Sequence, residues 1–134
     1  MAYINIKTAR TNELIDITAE LTKMIPAGFQ NGLCHLFCLH TTAGLTINEN
    51  ADPSVRSDLL AALDHLVPRE SALYTHSEGN SAAHVKASLM GSALTVPVAE
   101  GDLALGTWQG IYFCEFDGPR SRRVLVCFLN DFHS

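Results

Sequence analysis

His40, His76 and His84 are the residues whose type and setting point most directly to chemistry. His40 ends a strand-like run and is followed by Thr41, Thr42, Ala43 and Gly44. His76 lies in a polar stretch, and His84 follows eight residues later at the start of a helical pattern. Alone, each reads as an ordinary surface or hydrogen-bonded histidine. Their spacing is not that of the zinc-binding His-Glu-x-x-His helix. What groups them is position, because all three stand at element ends among small polar residues, where sites form. Three neutral imidazoles suit zinc or another late divalent metal and leave one position open for water or substrate. Such an ion polarises an oxygen or brings the pKa of bound water toward ~7. His35, His65 and His133 are weaker candidates: the first has the opposite strand parity to His40, the second lies on a helix, and the third is terminal.

Carboxylates and cations extend the pattern. Glu49, in the run INENAD soon after His40, reads as a general acid or base, or as a solvated neighbour of the helix caps Asn50 and Asp52. Glu78 and Asp117 are loop carboxylates that can face the same site. In the extended segment that follows Arg120, Arg122 and Arg123 point to opposite faces, so one can turn inward and grip phosphate through its planar fork. A solvated hairpin accounts for the same arginines. Lys86 sits on the His84 helix and adds charge near a helix N-terminus that attracts anions. Trp108 and Gln109 occur in GTWQGIY, where the indole stacks on a ring-shaped ligand or a neighbouring subunit, or packs in the core.

The elements that must position these groups are legible from periodicity. Strands are expected over 3–8, 13–17, 33–41, 45–48, 92–98, 103–106, 108–116 and 121–130. Helices are expected over 18–27, capped by Asp16 or Thr18, over 52–67, opened by Asp52-Pro53, and over 81–90. The stretch 69–80 reads as a loop, and Asp117-Gly118-Pro119 as the turn of a hairpin between the last two strands. This order is not a regular β-α-β alternation, which predicts an α+β domain with a largely antiparallel sheet and helices packed on it. Strands 33–39 and 124–129 are apolar on both faces. One domain has little material to cover both, so contacts between subunits are expected.

Composition sets the outer limits. The chain has 134 residues, 47% apolar and 17% charged, which predicts one folded domain with a full core. No apolar run approaches the ~20 residues of a membrane span. The start MAYINIKTAR lacks a basic stretch followed by an apolar one, so a cytoplasmic protein is expected. The net charge of −5, without a basic tail, argues against nucleic-acid binding. Cys34, Cys38, Cys114 and Cys127 lie in apolar runs without a Cys-x-x-Cys pair and read as buried, reduced thiols. There is no Walker loop and no Gly-x-Gly-x-x-Gly fingerprint.

Three long segments resemble the YjbQ family, whose members often carry the label of secondary thiamine-phosphate synthase: HTTAGLTINENADPSVRSDL at 40–59, AAHVKASLMGSALTVPV at 82–98, and LALGTWQGIYFCEFDGPRSRRV at 103–124. The resemblance implies an α+β fold with sheets packed around the threefold axis of a homotrimer, and a histidine-rich site near the subunit boundary. His40, Glu49, His76 and His84 match the family's positions for such a site. Trp108, Gln109, Glu115 and Arg123 fall in its C-terminal motif. The loop HSEGNSAAH is shorter than the acidic stretch of some relatives. The implied reaction joins a pyrimidine diphosphate to a thiazole phosphate and expels pyrophosphate. Magnesium prefers oxygen ligands, so the three histidines point to zinc instead.

The expectation is therefore a metal-dependent enzyme on phosphorylated small molecules. His40, His76 and His84 would hold zinc, Glu49 would move protons, and Arg123, with Arg120 or Lys86, would hold the anion. Trp108 and Gln109 would contact the ligand. The alternative is a non-enzymatic trimer that binds a metal or a metabolite.

Overall fold

The computed structural model describes residues 1–131. Alternation in the first strand, β1 (Ala2–Lys7), buries Ile4 and Ile6 and turns Tyr3, Asn5 and Lys7 outward. After β2 (Glu13–Asp16), the Asp16 carboxylate accepts from the Thr18 N–H at 2.9 Å and the Thr18 hydroxyl at 2.6 Å, opening α1 (Thr18–Met24). This helix stops three residues before the expected end. Pro26 disfavours helical backbone at Ile25, whose ψ of 122° is extended.

The chain continues through β3 (Gly32–Cys38), β4 (Ala43–Glu49), α2 (Pro53–Leu66) and α3 (Ser81–Met90). It ends with β5 (Ala93–Ala99), β6 (Asp102–Leu103), β7 (Gln109–Glu115) and β8 (Ser121–Asn130). In α2 the Asp52 side chain accepts from the Ser54 N–H at 2.9 Å, with Pro53 at the first helical position, as the sequence anticipates. Of the strand expected over 103–106, only the short β6 forms.

The strands make two antiparallel sheets, one ordered β1-β8-β3-β5-β6 and the other β2-β7-β4. Their facing sides share the main core, where Ile4, Cys34, Leu36, Val96, Val124 and Val126 of the larger sheet meet Leu45, Ile111 and Phe113 of the smaller. Leu21 of α1 plugs the same core. A second cluster lies behind the smaller sheet, where Tyr112, Cys114 and Phe116 pack on Leu63 of α2 and on Ala83 and Ala87 of α3. β7 is thus buried on both faces, which explains its nearly unbroken apolar run.

The last two strands do not form the expected hairpin. Both edges of β7 are taken by β2 and β4, and both edges of β8 by β1 and β3, so neither is free to pair with the other. The turn at 117–119 instead carries the chain from the small sheet to the large one.

The outer face of the larger sheet has no covering layer in one chain. Tyr3, Leu33, Phe37, Leu39 and Leu129 are each between 41% and 52% exposed there. Among the described residues no helix is long and apolar enough to cross a membrane.

Candidate functional site

The corner where the two sheets meet is organised by a buried charge pair. Glu115 ends β7 facing the large sheet, and Arg122 lies on the inward side of β8. Arg122 Nε donates to Glu115 Oε1 at 2.8 Å, and its Nη2 donates to Glu115 Oε2 and, at 2.9 Å, to Thr42 Oγ1. Thr8 Oγ1 donates to the same carboxylate at 2.8 Å, and the Phe116 and Asp117 amides donate at 3.0 Å each. Burial alone would push the Glu115 carboxyl up. The hydrogen bonds from Arg122, the Asp117 amide and Thr8 outweigh it and hold the group below the usual carboxylate range. The arginine that turns inward is therefore committed to structure.

His40 is fixed against this corner. Its Nε2 accepts the backbone N–H of Arg123 at 2.9 Å. The neutral ring then carries its proton on Nδ1. Burial of the ring, and next the positive charge of Arg122, hold His40 below the usual imidazole range, so it is neutral at pH 7.

His40 and His84 reach one depression of about 320 Å³, whose wall also includes Thr41, Glu78, Asp117 and Arg120. His84 is delivered by α3, its N–H bonded to the Asn80 carbonyl at 3.3 Å. The helix lies close on β4 at Gly44, where a Cβ would stand 2.8 Å from the Gly91 carbonyl oxygen and 2.9 Å from Met90 Cβ. His76, in the loop before α3, sets its ring edge-to-face on His84 with centroids 5.3 Å apart. Glu78 Oε2 lies 3.8 Å from His76 Nε2. Asp117 is held by Arg120 Nη2 at 3.0 Å and by Asn80 Nδ2 at 2.9 Å, so it orders the wall.

The histidines can be tested against a metal. Two imidazoles on one tetrahedral zinc have ring centres about 5 Å apart, given Zn–N near ~2.0 Å, and the His76–His84 pair matches that spacing. The Nε2 lone pair of His40, in contrast, is occupied by the Arg123 amide. Among the described residues no three His, Cys, Asp or Glu side chains converge on one ion position. The donor types suit zinc, and the His76 and His84 ring centres have the spacing that a shared ion requires, in an edge-to-face contact. The third is engaged elsewhere.

The remaining expected residues are spread over four places. Arg120 lines the His84 depression. Arg123 lies on the outer face of the large sheet, its guanidinium 4.4 Å over the Tyr3 ring. Lys86 is buried, ion-paired to Asp64 and 3.4 Å from Asn12 Oδ1. Glu49 and Gln109 are register partners at the far end of β4, and the Trp108 carbonyl accepts from the Asn50 N–H at 3.0 Å there. At ~3.3 Å per residue, that end is ~20 Å from Ala43, where β4 leaves the histidines. One chain thus does not bring Glu49, Trp108 and Gln109 to His40. Thr42 and Asn80 were not anticipated. Only the charged Glu115 within IYFCEF signalled a buried polar corner.

The described chain matches the UPF0047 protein YjbQ-like family model over residues 2–131. It is 52% identical over 124 residues to the UPF0047 protein YugU of Bacillus subtilis, covering 92% of this chain and 94% of that one. It is 48% identical over 127 residues to a UPF0047 protein of Methanocaldococcus jannaschii, covering 94% and 91%. The crystal structure of an uncharacterized conserved YjbQ/UPF0047 protein from Clostridium acetobutylicum superposes with a TM-score of 0.93 at 50% identity, covering 96% of this chain and 100% of that one. A conserved hypothetical protein from Thermus thermophilus superposes at 0.90 with 40% identity, covering 96% and 100%. The chain belongs to the YjbQ-like UPF0047 family.

Proposed function

We propose that this protein is a metal-dependent enzyme acting on phosphorylated small molecules, with its reaction centre in the depression shared by His40 and His84. The observation that carries this reading is the arrival of these two rings, from separate elements, on one wall, with His76 seated against His84. His40, His76 and His84 would hold zinc, and holding it requires His40 to release the Arg123 amide. The ion, when bound, would polarise a phosphate oxygen or acidify a water.

The chain's own groups supply the rest. Glu78 is the carboxylate nearest the imidazoles, with its side chain 71% exposed, and is suited to exchange protons with solvent. Arg120, held by Asp117, presents positive charge to the depression, and Arg123 attracts anions from the adjoining face. The specific reaction to assay is thiamine phosphate formation with release of pyrophosphate.

A homotrimer forms part of the proposal. The uncovered apolar face of the large sheet supports it, since a patch of that kind marks a contact between chains. Glu49, Gln109 and the 63% exposed Trp108 would serve a site only where a neighbouring copy brings that end alongside.

The bond from Arg123 to His40 favours a second reading, a trimer that binds a metabolite without catalysis or metal, with His40 as a neutral hydrogen-bond donor through Nδ1. The test is to purify wild type and His84→Ala, quantify bound metal, and assay thiamine phosphate formation in both. The enzymatic reading predicts that both are lost in the variant. Equal activity in the two proteins removes it.

A further inference from the structure

The wall that holds His40 has a second side. A wider depression of about 580 Å³ lies at the end of the large sheet where β1 finishes and β8 starts, and His40 borders it as well as the His84 depression. The two hollows differ in charge. The His84 side sets Glu78 and Asp117 against Arg120 and Arg122, whereas the outer side contains Lys7, Arg122 and Arg123 and no carboxylate.

Strand register explains why these cations share one place. Lys7 of β1 stands opposite Ser121 of β8, and Asn5 stands opposite Arg123. Lys7 and Arg123 are therefore diagonal neighbours on one face, with Cβ atoms about 7–8 Å apart, within reach of a common ligand for two long side chains. Among the described residues neither pairs with a carboxylate. Tyr3 supports the guanidinium of Arg123 by its flat face at 4.4 Å, which leaves the N–H edge to donate. Ser121, opposite Lys7 on the same face, adds a hydroxyl donor. On a chain of net charge −5, two unpaired cations on adjacent strands form a local anion site.

We infer that this outer depression binds the phosphate or diphosphate group of the substrate through Lys7 and Arg123, and that the bound molecule lies across His40 with its other end in the His84 depression. The inference rests on the reading of the His84 depression as the reaction centre and adds where the anion goes. The corresponding unphosphorylated alcohols are rejected, because they leave both cations unmatched.

The test is isothermal titration of the purified full chain with inorganic pyrophosphate at low salt. Wild type is expected to bind, and Lys7→Gln and Arg123→Gln are each expected to weaken binding about tenfold, the effect of one lost charge-assisted hydrogen bond. Lys23→Gln, a surface change on α1, is expected to bind within about twofold of wild type. No binding by wild type, or equal binding by Lys7→Gln, overturns the inference. If Lys7→Gln weakens pyrophosphate binding while His84→Ala keeps full turnover, the anion site stands and the reaction-centre reading fails.

Discussion

The backbone N–H of Arg123 donates to Nε2 of His40 at 2.9 Å, joining residues 83 positions apart in sequence. The bond holds the imidazole at the boundary between the two depressions and sets its tautomer. Burial and then the Arg122 charge already disfavour the imidazolium, and protonation at Nε2 would also remove the acceptor that Arg123 uses.

His40 should therefore titrate below the ordinary value of about 6.5 and carry its proton on Nδ1 above that midpoint. Nitrogen-detected NMR of the imidazoles checks both, and the Arg123 amide should shift with the same midpoint. A pKa depressed in the folded chain contributes stability above the unfolded value, lost as pH falls through the folded one. A His40→Gln variant should accordingly lose less stability than wild type as pH falls below about 6.5. A midpoint above 6.5 would contradict this assignment.

Glu115→Gln should destabilise the fold by about 3–5 kcal/mol at pH 7, because it leaves the buried Arg122 without its counter-charge. The carboxyl is depressed, so its contribution is complete above the unfolded value of about 4.3 and fades as pH falls through the folded value. Urea denaturation across pH 3–7, an experimental range of about four units, should show the gap between wild type and variant closing only on the acid side. A gap that is constant with pH would mean that the ion pair is not its cause.

Gly44→Ala tests how α3 delivers His84. The added methyl would meet backbone at Gly91 and the Met90 Cβ, neither of which is a flexible tip. The expected cost is about 1–3 kcal/mol in thermal or chemical denaturation, with an altered His84 resonance. An unchanged melting temperature would show that the helix shifts freely on β4.

Phe37→Asp tests the covering of the outer sheet face. Phe37 is 41% exposed in one chain, and its register partner on β8 is Leu125. Light scattering should give a trimer for wild type and a smaller species for the variant. A monomeric wild type, or a variant that remains trimeric, would refute the proposed assembly.

Much of this architecture is legible in the sequence because its signals are local. Alternation marks β1, nearly continuous apolar runs mark β3 and β8, Asp52-Pro53 opens α2, and Asn80 and Gly91 bracket α3. The sheet change at 117–119 is not legible, since a turn sequence does not say whether the flanking strands have free edges. The site follows the same division. His40 and His84 stand out by type, but the engagement of His40 depends on the register of β8. The placement of Lys7 beside Arg123 likewise depends on which strand lies beside β1. Arg122 and Arg123 separate by parity as expected, yet only the location of Glu115 determines that Arg122 is the buried one.

The most direct test of the account is a zinc titration of the full chain followed through the Arg123 amide and the histidine ring nitrogens. One ion per chain is expected to bind, with His40, His76 and His84 all perturbed, the Arg123 hydrogen bond released, and no binding in His84→Ala. Zinc that fails to bind, or that binds equally well to His84→Ala, would contradict it.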